Sequence, residues 1–296
     1  MMRVLKLLLP FWRGVLIAIL LGTLTIMSSI SLMALSAWLI STASLRPSIA
    51  ELSVAVVGVR FFGIARAVFR YLERVVSHET TFRLLAEMRV TFYRLIEPLA
   101  PARLTSQRSG DLLSRVVSDV ESLQNLLLRG VAPPLVALLT AVLLTVFLSA
   151  FDPLIAAAAL VFILAAGVVL PLFSAWAGET AGVQRVQARA QLNAVLIDAV
   201  QGMAESIVYG QQGAQQEQIA KLNAAAAQAD QRSSRLDALQ AGLMALFTNG
   251  AAVMVLAAAI PRIEGVFLAT VTLATIAVFE AFMPISQAAL QLGATR

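Results

Sequence analysis

From Gly130 to Gly178 the chain reads GVAPPLVALLTAVLLTVFLSAFDPLIAAAALVFILAAGVVLPLFSAWAG, and Asp152 is the single charged residue in it. Crossing ~30 Å of hydrocarbon takes ~20 helical residues, so this run holds two crossings, joined by the short turn Ser149 to Pro153. Similar charge-free runs extend from Gly14 to Leu45, from Ala238 to Pro261, and from Gly265 onward, the last interrupted by Glu280. Leu52 to Val76 is also mostly apolar, although it carries Arg60, Arg66, Arg70, Glu73 and Arg74. The expected architecture is an all-α membrane protein with six transmembrane helices, at about 14–43, 52–76, 130–150, 153–178, 238–260 and 265–290.

Composition agrees with that architecture. Of 296 residues, 59% are hydrophobic and 13% charged, against the ~45–50% apolar share of ordinary soluble domains. With 0 Cys there is no disulfide, thiolate ligand or cysteine nucleophile in the chain, and 16 Gly and 10 Pro exclude collagen-like and low-complexity classes. The net charge of +5 reads as an arginine excess in cytoplasmic segments, with no nucleic-acid partner implied.

The connections between spans fall into two length classes. Ser44 to Glu51, Ser149 to Pro153 and Pro261 to Gly265 are short, whereas 77–129 and 179–237 are long, rich in Arg, Glu, Gln and Ala, and helical in spacing. Short and long connections must lie on opposite sides of the bilayer. Arginine clusters in the long ones and in Arg3 and Arg13, so the positive-inside rule places the long connections and both termini in the cytoplasm. Each long connection is expected to form a helical hairpin, broken at Pro98, Pro101 and Ser109-Gly110 in the first and at Gly202, Gly210 and Gly213 in the second. Residues 1–13, basic and apolar up to Pro10, suit an interfacial elbow helix.

Six spans with two long cytoplasmic hairpins resemble the membrane domain of ABC exporters (type-1 transmembrane domain). The run Arg108-Ser-Gly-Asp-Leu-Leu-Ser-Arg115-Val-Val-Ser-Asp119 looks like that family's first coupling segment, and Gly202-Met-Ala-Glu-Ser-Ile-Val-Tyr-Gly210 with Gln211 to Glu217 is similar to the second. The resemblance implies contacts to an ATPase domain from Gly110, Asp111, Arg115, Asp119, Gly210, Gln211 and Glu217. The plainer reading of Arg115 and Asp119, four residues apart, is an intrahelical ion pair. A finer similarity is to the CydC-type subunits of heterodimeric CydDC exporters. It rests on Gly58-Val-Arg-Phe-Phe-Gly-Ile-Ala-Arg-Ala-Val-Phe-Arg-Tyr-Leu-Glu-Arg74, Ser77-His78-Glu79, Thr81-Phe82-Arg83, Phe92-Tyr93-Arg94 and Glu97 to Leu104. That resemblance implies export of cysteine or glutathione, a link to cytochrome bd assembly, a CydD-like partner subunit and a bacterial inner-membrane location. Members of this family continue into a nucleotide-binding domain. Here no Gly-x-x-x-x-Gly-Lys-Ser/Thr occurs and the only lysines are Lys6 and Lys221, so ATP hydrolysis is expected to come from outside this sequence.

Arg66, Arg70, Arg74 and His78 recur every four residues and therefore share one helix face. Unpaired arginine at the centre of a bilayer costs at least ~2.5 kcal/mol, so the stripe is expected to face protein, water or an anionic ligand. Arg60, Arg66, Arg70 and Glu280 are the candidates for a substrate cavity; acids of a partner chain, or snorkelling to the headgroups, are the alternatives for Arg60 and Arg66. His78 is the only histidine in the chain. An ordinary polar role is its simplest reading, but neutral imidazole ligates haem iron and guanidinium groups hold propionates. If the first hairpin turns near Arg103 to Leu104, an antiparallel return sets Arg129 at about the height of His78. The resemblance to CydC-type subunits, which are associated with haem b, points to the same histidine. His78, Arg74 and Arg129 are thus the candidate haem site. Three further readings stand beside the thiol exporter: a haem transporter of the same architecture, a membrane haem-binding redox protein without transport, and a lipid or drug exporter lacking haem.

Overall fold

The computed structural model describes residues 11–97, 132–285 and 288, and among these every regular element is a helix. The order is α1 (Trp12–Ala43), α2 (Ile49–Ile96), α3 (Ala132–Ser149), α4 (Pro153–Leu164), a π-turn (Ala165–Val169), α5 (Leu170–Gln201), α6 (Met203–Val208), α7 (Gln212–Ala259), α8 (Gly265–Val278) and a 3₁₀ turn (Phe279–Ala281). Six of the helical stretches are long and apolar enough to cross a membrane. The chain is a multi-pass membrane protein. The expected elbow at 1–13 lies outside the described residues except for its last residues, where Trp12 and Arg13 open α1.

One unit comprises residues 11–97, 132–163 and 248–285. In it α1 and α2 pack antiparallel along their length, and three glycines set the approach. A Cβ at Gly14 would run into the Thr80 side chain; one at Gly58 would lie 2.6 Å from Leu35 Cδ2; one at Gly22 would lie 3.0 Å from Val136 Cγ2 and 3.8 Å from Glu73 Cγ. Lipid supplies no hydrophobic drive between helices, so close contact through small residues has to hold them. The buried positions are accordingly rich in alanine: Ala18, Ala34 and Ala37 on α1, Ala137 and Ala141 on α3, Ala159 on α4, Ala251 and Ala259 on α7, Ala274 on α8. Leu144, Leu148, Ile155, Val255, Val271 and Val278 fill the spaces between them.

Hydroxyls in such a setting need an acceptor within reach. Thr23 donates to the Ile19 carbonyl at 2.9 Å, Ser28 to Leu24 at 2.7 Å, Thr140 to Val136 at 2.9 Å and Thr275 to Val271 at 2.8 Å, each one turn back along its own helix. The expected short connections are all present. Asp152 caps α4, its Oδ1 accepting the Leu154 N–H at 2.7 Å, with Pro153 at the first helical position where a missing N–H costs nothing. Arg262 reaches back to Asp152 at 3.8 Å, tying the two connections together, and donates to the Ala258 carbonyl at 2.8 Å.

The second unit comprises residues 164–247 and residue 288. At its start the helical ladder widens: the Leu170 N–H bonds to the Ala165 carbonyl, five residues back. Pro171 follows at once; it has no N–H, and its ring crowds the carbonyl four residues before it, so the wider turn absorbs the strain. α5 and α7 then run antiparallel. Gly202 ends α5, α6 crosses the apex, and Gly210 at φ +64° admits the reversal into α7. Gly213, expected to break the chain, lies instead in the first turn of α7, where a helix tolerates it.

The long helices leave no joint between apolar span and polar arm. α2 and α7 each run unbroken through both, Ile49–Ile96 and Gln212–Ala259.

A charged second span as candidate site

Along the described part of α2 the buried side chains are Ala55, Ala65, Thr80, Thr81, Leu84 and Leu85, a face that meets the rest of its unit. The opposite face is open and carries Val54, Val57, Phe61, Ile64, Val68, Tyr71 and Val75 together with Arg60, Arg74 and His78. Arg66 lies at the border, half-buried. At ~1.5 Å per residue, Arg60 lies ~16 Å and Arg70 ~31 Å from the start of α2 at Ile49. On the 52–76 bounds the midpoint falls at residue 64, so Arg66 is nearest the middle of the span.

The structure brings two of the expected cavity residues together. Arg70 Nη2 donates to Glu280 Oε1 at 2.6 Å, with both side chains about half exposed at 46% and 39%. Glu280 sits on the 3₁₀ turn that follows α8. Glu73, three residues from Arg70, forms no ion pair with it: it turns inward toward Gly22 of α1. Among the described residues, Arg60, Arg66 and Arg74 form no ion pair and no side-chain hydrogen bond.

His78 is exposed, one helical turn from Arg74, with the Phe82 ring 5.9 Å away between centroids. Among the described residues no group of three or more His, Asp or Glu could hold a bare metal ion. A haem makes a different demand: one axial nitrogen, a flat apolar wall and a cation for its propionates. His78, Phe82 and Arg74 offer side chains of these types on one exposed stretch of α2. Arg129 lies outside the described residues, as do Gly110, Asp111, Arg115 and Asp119 of the first coupling segment.

In the second unit, α6 exposes Met203, Ile207 and Val208, and Tyr209 follows them, also exposed. The apex is braced from within. Gln211 N–H donates to the Ser206 carbonyl at 2.9 Å and Ser206 Oγ donates to Gln215 Oε1 at 2.9 Å. Glu217 is engaged along its own helix by Lys221 at 2.7 Å. Farther down the hairpin is a clasp that sequence reasoning missed: Asp230 accepts from Arg185 Nε at 2.8 Å and from Arg189 Nη2 at 2.9 Å, while Arg232 donates to Gln184 at 3.1 Å. Hydrogen bonds from Arg189 and Arg185 hold the Asp230 carboxyl below the usual aspartate range. A signal for the clasp was present. Folding the chain about an apex at 202–211 sets position 185 opposite 230.

Six spans, continuous span-and-arm helices and a braced apex define a class. The chain belongs to the ABC transporter transmembrane region family, whose pattern it matches over residues 5–288. It is similar to the glutathione/L-cysteine transport system ATP-binding/permease protein CydC of Escherichia coli K12, at 32% identity over 94% of this chain and 50% of that protein. The CydC of Haemophilus influenzae is 28% identical over 90% of this chain and 48% of its own length. The CydD of Bacillus subtilis is 34% identical over 67% of this chain and 35% of its own. The chain spans about half the length of the CydC relatives it matches.

Proposed function

We propose that this chain is the membrane-spanning part of an ATP-driven exporter of thiol reductants, cysteine or glutathione, working as the CydC-like half of a heterodimer with a CydD-like subunit. The observation that carries the reading is the open, cation-bearing face of α2, set among apolar side chains at membrane depth. Both thiols carry carboxylates, and arginines aligned on one helix offer them charge-assisted hydrogen bonds. The names of the CydC and CydD relatives supply the thiol itself. Nucleotide-binding domains would dock at the helical apexes, α6 with Tyr209 to Gln211 giving an apolar, braced surface and 108–119 the other. The exporter lies in a bacterial inner membrane with both termini cytoplasmic and serves cytochrome bd assembly.

Haem b is the proposed resident cofactor. His78 would ligate the iron, Phe82 would wall one side, and Arg74 with Arg129 would hold the propionates. Bound there, haem supplies a one-electron redox centre. The chain's own part is to fix its orientation and offset its carboxylate charge.

A second reading, haem as cargo of the same architecture, is favoured by the exposure of His78 on the open face. ATP-driven uptake into inside-out membrane vesicles, comparing labelled glutathione with haem, separates the two. Thiol uptake without haem uptake supports the exporter; haem uptake alone overturns it, and ATP-independent reduction by quinol with no uptake of either replaces both with a redox protein.

A further inference from the structure

We infer that Glu280 is the resting occupant of a carboxylate site on Arg70, and that the carboxylate of an acidic thiol takes its place when cargo is loaded. The inference rests on the exporter reading above and names how that site is regulated.

The contact between the two residues is single. One guanidinium nitrogen meets one carboxylate oxygen at 2.6 Å, whereas a guanidinium has five N–H donors and pairs most firmly with carboxylates through two of them. Donors of Arg70 are left over for a second acceptor. The pair is also open, both side chains being about half exposed, so an anion can approach without unpacking a helix.

The surroundings favour exchange. Arg66 and Arg74 flank Arg70 one turn to either side on the same stripe, and neither forms an ion pair among the described residues. A cargo carboxylate arriving between two guanidinium groups meets more positive charge than Glu280 does from its own helix. Glutathione, with two carboxylates, can span two of them. Apart from its contact with Arg70, Glu280 is placed by its backbone, on the 3₁₀ turn between buried Phe279 and Ala281, so its side chain can swing away while its neighbours stay packed.

The arrangement also explains why an acid stands in the last apolar span. With no cargo, an arginine in that environment is costly, and Glu280 offsets the charge until an external anion replaces it.

The test is ATP-driven uptake by inside-out vesicles carrying the assembled transporter, with glutathione and with cysteamine, a thiol that has no carboxylate. Removing the internal competitor by Glu280→Gln lowers KM for glutathione about three- to fivefold relative to that for cysteamine, the scale on which an exposed ion pair competes. Arg70→Gln raises it about tenfold on the same relative scale, the weight of one hydrogen bond to a charged group. Glu280→Asp, which keeps the charge on a shorter arm, falls between wild type and Glu280→Gln and serves if the glutamine variant does not accumulate. An unchanged or raised glutathione KM in Glu280→Gln, or equal shifts for both thiols, makes the pair a strut and overturns the exchange while the exporter stands. Wild-type vesicles that take up neither thiol overturn the exporter reading and the exchange with it.

Discussion

Gly14 of α1 lies directly against Thr80 of α2, with no room for a Cβ between them. Thr80 is buried at 8% exposure and is β-branched, so it has little rotamer freedom with which to yield. Gly14→Ala gains up to ~1 kcal/mol of helix propensity, but overpacking costs ~1–3 kcal/mol. The second effect prevails. A thermal melt in detergent is expected to drop for Gly14→Ala and to recover in the double variant Gly14→Ala/Thr80→Ala; a melt raised by the single change would contradict the packing described.

The haem assignment has a spectroscopic consequence. His78→Ala is expected to abolish the Soret band of the purified protein, and Arg74→Ala to weaken haem retention while leaving the ligand in place. An unaltered spectrum in His78→Ala removes the haem site and leaves the transporter untouched.

The hairpin clasp has a pH signature. The folded-state pKa of Asp230 is depressed by Arg189 and Arg185, so its contribution is complete above the unfolded value of ~3.9 and is lost as pH falls through the lower folded value. With 0 Cys in the chain, a spin label can be placed uniquely on each arm. The distance distribution should stay constant from pH 8 to pH 5 and broaden only in strong acid, whereas Asp230→Asn broadens it at every pH. Broadening near neutrality would assign the effect to another group.

Asp152 has two roles of unequal weight. As the N-cap of α4 it is worth ~0.5–2 kcal/mol, while its 3.8 Å contact with Arg262 is a weak, partly exposed pair of at most ~1 kcal/mol. Asp152→Ala should therefore lower the melting temperature more than Arg262→Ala, and Asp152→Asn, which can still cap, should be nearly silent. Equal losses in Asp152→Asn and Asp152→Ala would mean the ion pair prevails.

Much of the fold was legible because lipid makes simple demands. Charge-free length marks a span, and breakers such as Gly202 and Gly210 mark an apex whatever the tertiary contacts. Gly213 misled because a single residue, Gln211, suffices after Gly210, and the helix resumes from Gln212. The site was less legible. Periodicity put Arg66, Arg70, Arg74 and His78 on one stripe, but it did not reveal that Arg70 pairs with Glu280, 210 residues away in sequence. Pairing at that separation is decided by how whole helices pack, which local spacing does not encode. The Asp230 clasp was hidden for a different reason: Arg185, Arg189 and Asp230 each look like ordinary solvated charges until the register of the hairpin is known.

α2 carries Arg60 at one level and Arg94 more than thirty residues later on a single helix, with no break between them. On the exporter reading proposed above, a torque applied to its outlying end would be passed along the rod as rotation of the guanidinium row. One axle would then both report a nucleotide event and re-aim the charges, setting affinity and mechanical drive by one degree of freedom.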